Sequence, residues 1–447
     1  MSHEPILKDI LDKKIEDFEI FLQKPEITEA HIRQGRTVLL NSSRPTGYSI
    51  RIAHKGGVGL AFSHGLKKDS IARSVDAALK IAQTNEVPNF SFPISRSTKS
   101  VEIVDPKIRD EPEAVIKEYT SHMQENLPKG AEVTFGKVRC YNMTTEIVNS
   151  QGVNLTKNET YVFMEIAIKA KDASKIGEYW TMRYARRVQD APPELIDLWS
   201  KNATSMLRSI EPETGKMTII FSPAMVCDGL VPTIGVHATG LAQKEGFSKF
   251  KQNEKTASEV LNVLDDGLFP YGIQSSPFDD EGNPQSTTQL IEKGVFKNYL
   301  YDEYLGSQYD QNSTGNGIRQ QFVTYYVADK FKLKPRNQAT NLRILPGTKS
   351  LETLIEETEN GLLLDSFSWL NPSSTSGQFS AEIRNAFYIK NGKITDAVKG
   401  GLVSGDFFEL VNSISGISNE AEITSGATAF GCVSPYIRFE DVQVAGK

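Results

Sequence analysis

Ser49-Ile50-Arg51-Ile52-Ala53-His54-Lys55-Gly56-Gly57-Val58-Gly59-Leu60-Ala61-Phe62, SIRIAHKGGVGLAF, decides how the chain begins to fold. Two apolar segments flank Lys55-Gly56-Gly57, and a glycine pair between strand-like segments is the signal of a β-hairpin. Upstream, Phe18, Ile20 and Leu22 alternate at period two, and Val38 to Leu40 extend the strand character. Downstream the period changes. Ile71, Val75, Ala78, Leu79 and Ala82 recur at three- and four-residue spacing behind the capping candidates Asp69 and Ser70, which predicts a helix over about 69–84 with one face on the strands.

Residues 85–105, rich in proline and serine, read as a linker. A helix from Glu113 to Asn126 opens a second unit, with strands at about 132–141, 144–149 and 158–170, a turn at Ser150-Gln151-Gly152, and a closing helix from Pro193 to Ile210. After Glu211-Pro212-Glu213-Thr214-Gly215 a third unit starts with the strand Met217–Phe221 and becomes mostly short strands beyond Leu261. The expected class is α+β, with an N-terminal region of hairpins and helices followed by a β-rich C-terminal domain. Its units are 1–95, 105–212 and 213–447, in keeping with about three domains for a chain of 447 residues.

Fifty basic against fifty-six acidic residues, a net charge of −6, give no general attraction to nucleic acid or to an anionic membrane. No segment approaches the ~20 apolar residues of a membrane helix, and the charged N-terminus has no signal-peptide core. Cys140, Cys227 and Cys432 are odd in number and widely spaced, which argues for reduced thiols rather than a disulfide framework. A cytoplasmic protein is the expectation.

Chemistry is sparse. Over 223–248, read as one helix, His237 shares a stripe with Val226, Leu230, Ile234 and Leu241. A zinc-protease helix needs a second histidine one turn on and a glutamate beside the first; here those places hold Leu241 or Ala242, and Ala238. A histidine hydrogen-bonded to backbone is the simpler reading, though Gly229, Pro232, Gly235 and Gly240 weaken the helix. Asp279-Asp280-Glu281-Gly282 could hold a hard cation, but before Asn283-Pro284 it reads as a turn, with aspartates capping N–H groups and Gly282 left-handed. The loop Asn371–Ser380 has serines but no His-Asp signature, so Ser374, Gly377, Gln378 and Phe379 are candidates for a peptide- or partner-facing loop, not a nucleophile. Ser313-Thr314-Gly315-Asn316-Gly317 lacks a phosphate-loop context.

Taken in order, RIAHKGGVGLAFS, IVNSQG, SSPFDDEGNPQSTTQLIEKGVFKNYLYD, STGNGIR, SGQFSAEIRNAFYIKNGKI, VSGDFFELVNSI and SPYIRFEDVQVAG resemble the TldD/PmbA family, associated with degradation of unfolded peptides and with the label "modulator of DNA gyrase". In the family's catalytic subunit a helix carries H-E-x-x-x-H and a later cysteine completes a zinc site. Of that set this chain matches His237 alone; Ala238 stands at the base position, Ala242 at the second histidine, and the cysteine position falls near Ala421, with Cys432 too far on. The resemblance therefore implies a TldE/PmbA-like, non-catalytic subunit. It would carry no metal or other cofactor, the zinc being in a TldD-like partner, and would pair with that partner around unfolded peptides, or with itself when alone. The alternatives are a peptidase in its own right, using His237 with Asp279 or Glu281, and a protein-interaction modulator.

Overall fold

The computed structural model describes residues 3–125, 127–320, 327–425 and 431–447, so Asn126, the expected end of one helix, lies outside them. The N-terminal half runs α1 (Glu4–Asp12), β1 (Asp17–Arg33), β2 (Arg36–Ser43), β3 (Gly47–His54), β4 (Gly57–His64), α2 (Lys68–Ala82), α3 (Pro106–Asp110), α4 (Pro112–Glu125), β5 (Ala131–Asn149), β6 (Asn154–Asp172), β7 (Lys175–Ala185) and α5 (Leu195–Ser205). Strands on both sides of residues 85–105 join one seven-stranded sheet, ordered β4-β3-β1-β5-β6-β7 with β2 on β1. The opening stretch is the β3–β4 hairpin, and Lys55 and Gly56 both have positive φ, +50° and +83°, as a tight two-residue turn requires. Gly59 lets α2 lie against β4: a Cβ there would come within 1.9 Å of the Ala78 carbonyl oxygen.

Alternation along the strands divides the sheet's two faces. Ile20, Leu22, Ile50 and Ile52 pack under α1 and α2 with Ile71 and Val75, while α4 and α5 cover Val138, Ile166 and their neighbours with Tyr119 and Trp199. The opposite face, carrying Phe21, Ile147, Tyr161 and Phe163, packs on Ile273, Phe278 and Phe331 of the C-terminal half. Glu19 and Arg51 also point to that second face, directly paired across β1 and β3.

The C-terminal half comprises β8 (Gly215–Phe221), α6 (Pro223–Leu230), a π-helical turn (Val231–Gly235), α7 (Gly240–Lys244), β9 (Val263–Asp266), β10 (Thr287–Glu292), β11 (Val295–Phe296), β12 (Gly317–Ile318), β13 (Arg336–Asn337), β14 (Asn341–Ile344), β15 (Asn360–Phe367), β16 (Gln378–Lys390), β17 (Lys393–Val398), β18 (Leu402–Asp406), β19 (Ile414–Thr424) and β20 (Gly431–Ala445), with short helices between. All but β12 and β13 belong to an eleven-stranded sheet in which β20 is central, pairing with β8, β14, β18 and β19. Phe221 anchors its core, edge-on to Phe367, Phe407 and Phe439.

Three expectations are corrected. Residues 132–141 and 144–149 form one strand, because Asn142 and Met143 keep their pairing with Glu26 and Pro25. The 85–105 segment has no regular structure but is no free tether: Phe92 and Ile103 are buried, and Arg96 Nη1 donates to Asn283 Oδ1 at 2.9 Å. The strand expected at Val38–Leu40 is present as β2, with those three side chains exposed. The strands beyond Leu261 are short only as far as Ile344; β16 and β20 reach 13 and 15 residues.

Candidate functional site

The predicted helix over 223–248 is not continuous. It runs from Pro223 through the π turn to His237 and then breaks, because Thr239 caps a new helix by accepting from Ala242 N and the Gly240 N–H donates to the Leu300 carbonyl, 2.8 Å away. Pro232, lacking an N–H, stands inside the π turn, where the regular ladder is already widened. Leu241 therefore leaves the apolar stripe and is exposed, while Ala238 and Ala242 are buried.

His237 itself is sealed. Nδ1 accepts from Lys249 N at 2.8 Å, and Nε2 lies 2.6 Å from the Ser374 carbonyl oxygen, so the proton is on Nε2. The ring is edge-on to Phe408, with centroids 4.7 Å apart, and Phe247 and Phe250 approach its other sides. Both ring nitrogens are spent on backbone, Nδ1 as acceptor and Nε2 as donor, so neither is free for a cation. A zinc ion of the kind the family implies does not fit the side chains at this place. Among the described residues no cluster of His, Cys, Asp or Glu has the makings of a metal site.

Burial lowers the His237 pKa below its ordinary value, and Lys249 acts in the same direction. The neutral ring is favoured in the folded state. Its contribution to stability is thus complete above the unfolded value of about 6.5 and lost as pH falls from there towards the lowered folded value. In that window His237→Leu is expected to flatten the dependence of unfolding free energy on pH by up to about 1.4 kcal/mol per pH unit. Parallel slopes for the two proteins in urea titrations would refute the buried neutral ring.

The hydrogen bond to Ser374 joins the two features singled out in the sequence, the histidine and the polar loop. Ser374 and Gln378 are exposed, whereas Gly377 and Phe379 turn inward: Gly377 has φ +81° against Phe408, and Phe379 packs on Phe407 at 4.8 Å. Between this loop, the π turn and residues 336–339 runs a cleft of about 630 Å³, lined by Val231, Val236, Leu241, Phe247, Asn337 and Gln338 among others.

Asp279, Asp280 and Glu281 form the expected turn: Asp279 Oδ1 accepts from Glu281 N and Asn283 N, and Gly282 has φ +97°. Far from the cation site also considered, each carboxylate is already neutralised or capped, Asp280 by Lys330 at 3.2 Å and Glu281 by Arg51 at 3.0 Å. Burial, then the Glu281 charge, raises the Asp279 pKa well above the ordinary carboxylate range. The turn is one side of a buried ion network that sequence reasoning missed. Glu19 Oε1 takes Arg51 Nε at 2.9 Å and Arg319 Nη2 at 2.6 Å, and Glu19 Oε2 takes Arg51 Nη2. Alternation places Glu19 and Arg51 on the inter-sheet face, and that was the only signal available. Alongside, Arg186 donates to Glu159 and to the carbonyls of Gly272, Ile273 and Ser275.

A seven-stranded sheet clamped by buried ions to an eleven-stranded sheet, with a histidine at the end of an interrupted helix beside a cleft, defines an α+β protein with a β-rich C-terminal half. The model of the PmbA/TldA metallopeptidase C-terminal domain matches residues 214–446, and that of domain 1 matches 18–82. The chain belongs to this TldD/PmbA family. It is 24% identical to a metalloprotease of Methanocaldococcus jannaschii over 88% of each chain, and 28% identical to a TldD homologue of Buchnera aphidicola over 56% of this chain and 53% of that one. The crystal structure of TldE from Thermococcus kodakarensis superposes with a TM-score of 0.85 at 21% identity, over 99% of this chain and 100% of that one. No helix among the described residues is long and apolar enough to cross a membrane.

Proposed function

We propose that the chain is the non-catalytic member of a cytoplasmic pair, working with a zinc-bearing TldD-like homologue on unfolded peptides. The observation that carries this reading is His237, both of whose nitrogens are bonded to backbone, with alanines at the family's base and second-ligand positions. Such a subunit contributes by enclosure. Two homologous shells around one metal site admit a flexible chain and keep folded proteins out, and an extended chain can be held through backbone hydrogen bonds that do not depend on its sequence.

The test is elemental analysis of the purified chain together with cleavage of an unstructured peptide by the TldD-like homologue, with and without this chain. Expected are zinc far below one per chain, no cleavage by the chain alone, and cleavage that appears or rises on mixing. Stoichiometric zinc with cleavage by the isolated chain would reverse the reading, and a homologue indifferent to the chain would remove the pairing.

A further inference from the structure

The cleft beside His237 contains two amide groups whose hydrogen bonding is half complete. Asn337, 5% exposed, accepts the Leu241 N–H on Oδ1 at 3.2 Å, which fixes its orientation and leaves Nδ2 without a partner among the described residues. Gln338 donates from Nε2 to the Gln320 carbonyl at 3.0 Å, and its Oε1 likewise has no partner among the described residues. Both residues line the cleft, and both free atoms lie just beneath its wall, out of reach of water. Each therefore bears the cost of an unmade hydrogen bond, unusual enough in a buried side chain to need an explanation.

One free donor and one free acceptor on successive residues match what a peptide unit offers, one carbonyl and one N–H. The rest of the lining suits the side chain such a unit would bring. Val231, Val236, Leu241 and Phe247 are apolar, Leu241 is 37% exposed, and about 630 Å³ is within the range of pockets that enclose small ligands.

We infer that this cleft binds an extended peptide segment through one apolar side chain, with Asn337 Nδ2 donating to a backbone carbonyl and Gln338 Oε1 accepting a backbone N–H. The inference rests on the proposed function only in taking peptides as the ligand class; it places a peptide site on the chain that lacks the metal ligands, and that site needs no partner. The histidine supports it indirectly by tying the Ser374 loop into place as one wall.

The test is calorimetric titration of the chain alone with acetyl-Ala-Leu-Ala-Leu-amide and with its analogue in which an ester replaces the amide N–H preceding the second leucine. Saturable binding of the amide is expected, weaker for the ester by about ten-fold, the effect of one lost hydrogen bond. In Gln338→Met the amide and ester should bind alike, and Leu241→Asp, at an exposed position, should weaken both. No saturable binding by about 1 mM, equal affinity of the wild type for amide and ester, or discrimination that persists in Gln338→Met overturns the inference. A chain that stimulates its homologue yet fails these titrations loses the peptide site and keeps the pairing.

Discussion

Glu19→Ala is expected to destabilise the protein by about 3–5 kcal/mol, the loss typical when one partner of a buried ion network is removed. The carboxylate is fully buried and holds two guanidinium groups, those of Arg51 and Arg319, which are themselves shielded from water. Arg319 also donates to Ser49 Oγ at 2.9 Å and to the Leu333 carbonyl at 2.6 Å, so its head group is fixed and cannot swing out to solvent. Its plane also covers the Phe21 ring at 4.4 Å. Urea unfolding gives the measurement, followed both by near-ultraviolet circular dichroism and by proteolysis because the two halves need not unfold together. A loss below about 1 kcal/mol would show that Glu281 and Asp280 can take over both charges, and the network would then be redundant.

Arg186→Met should be similarly costly, about 3–5 kcal/mol, for a different reason. Arg186 is 1% exposed and lies 4.3 Å from the Tyr161 ring. Burial works to raise the Glu159 pKa, yet Lys157 and Arg186 outweigh it and hold that carboxylate down at about 2. Without the guanidinium, Glu159 keeps only Lys157 at 3.8 Å and the Tyr161 hydroxyl at 3.0 Å, and the carbonyls of Gly272, Ile273 and Ser275 each lose a charged donor. Lysine cannot restore this fork, because it presents a single point charge in place of a planar set of donors. Arg186→Lys should therefore remain destabilised and should be cut more readily near residues 272–276 under limited proteolysis. A lysine variant as stable as the wild type would sink the geometric argument.

Local patterns carried much of the architecture. The hairpin at 49–62, the helix ending at Ala82 and the turn at Asp279–Gly282 each depend on neighbours a few residues apart, and each is present; only the helix start differs, since Lys67 stands at its N-cap without a side-chain bond and the capping candidates Asp69 and Ser70 lie inside it. His237 was legible as an inward-facing residue for the same reason. Its sealing was not, because the carbonyl that takes its Nε2 proton lies 137 residues away. The break after the histidine was equally hidden: it depends on Leu300, which reaches across to Gly240. Arg51 shows the limit most plainly, since an isolated arginine in an alternating strand reads as solvent-facing until the second sheet covers it. Phe379 errs in the opposite direction, being placed in a polar loop by its neighbours and in the core by its strand.

The central position of β20 also governs biosynthesis. This strand, Gly431–Ala445, holds β8, β14, β18 and β19 in one sheet, and its partners span the C-terminal half from Gly215 onward. While the ribosome is making the preceding two hundred or so residues, β8 and β14 must wait with open edges, and such edges recruit other chains. Non-local pairing of this kind closes slowly. The nascent C-terminal half thus keeps unpaired strand edges until its last strand emerges, whereas the seven-stranded sheet can close as soon as β7 has been made.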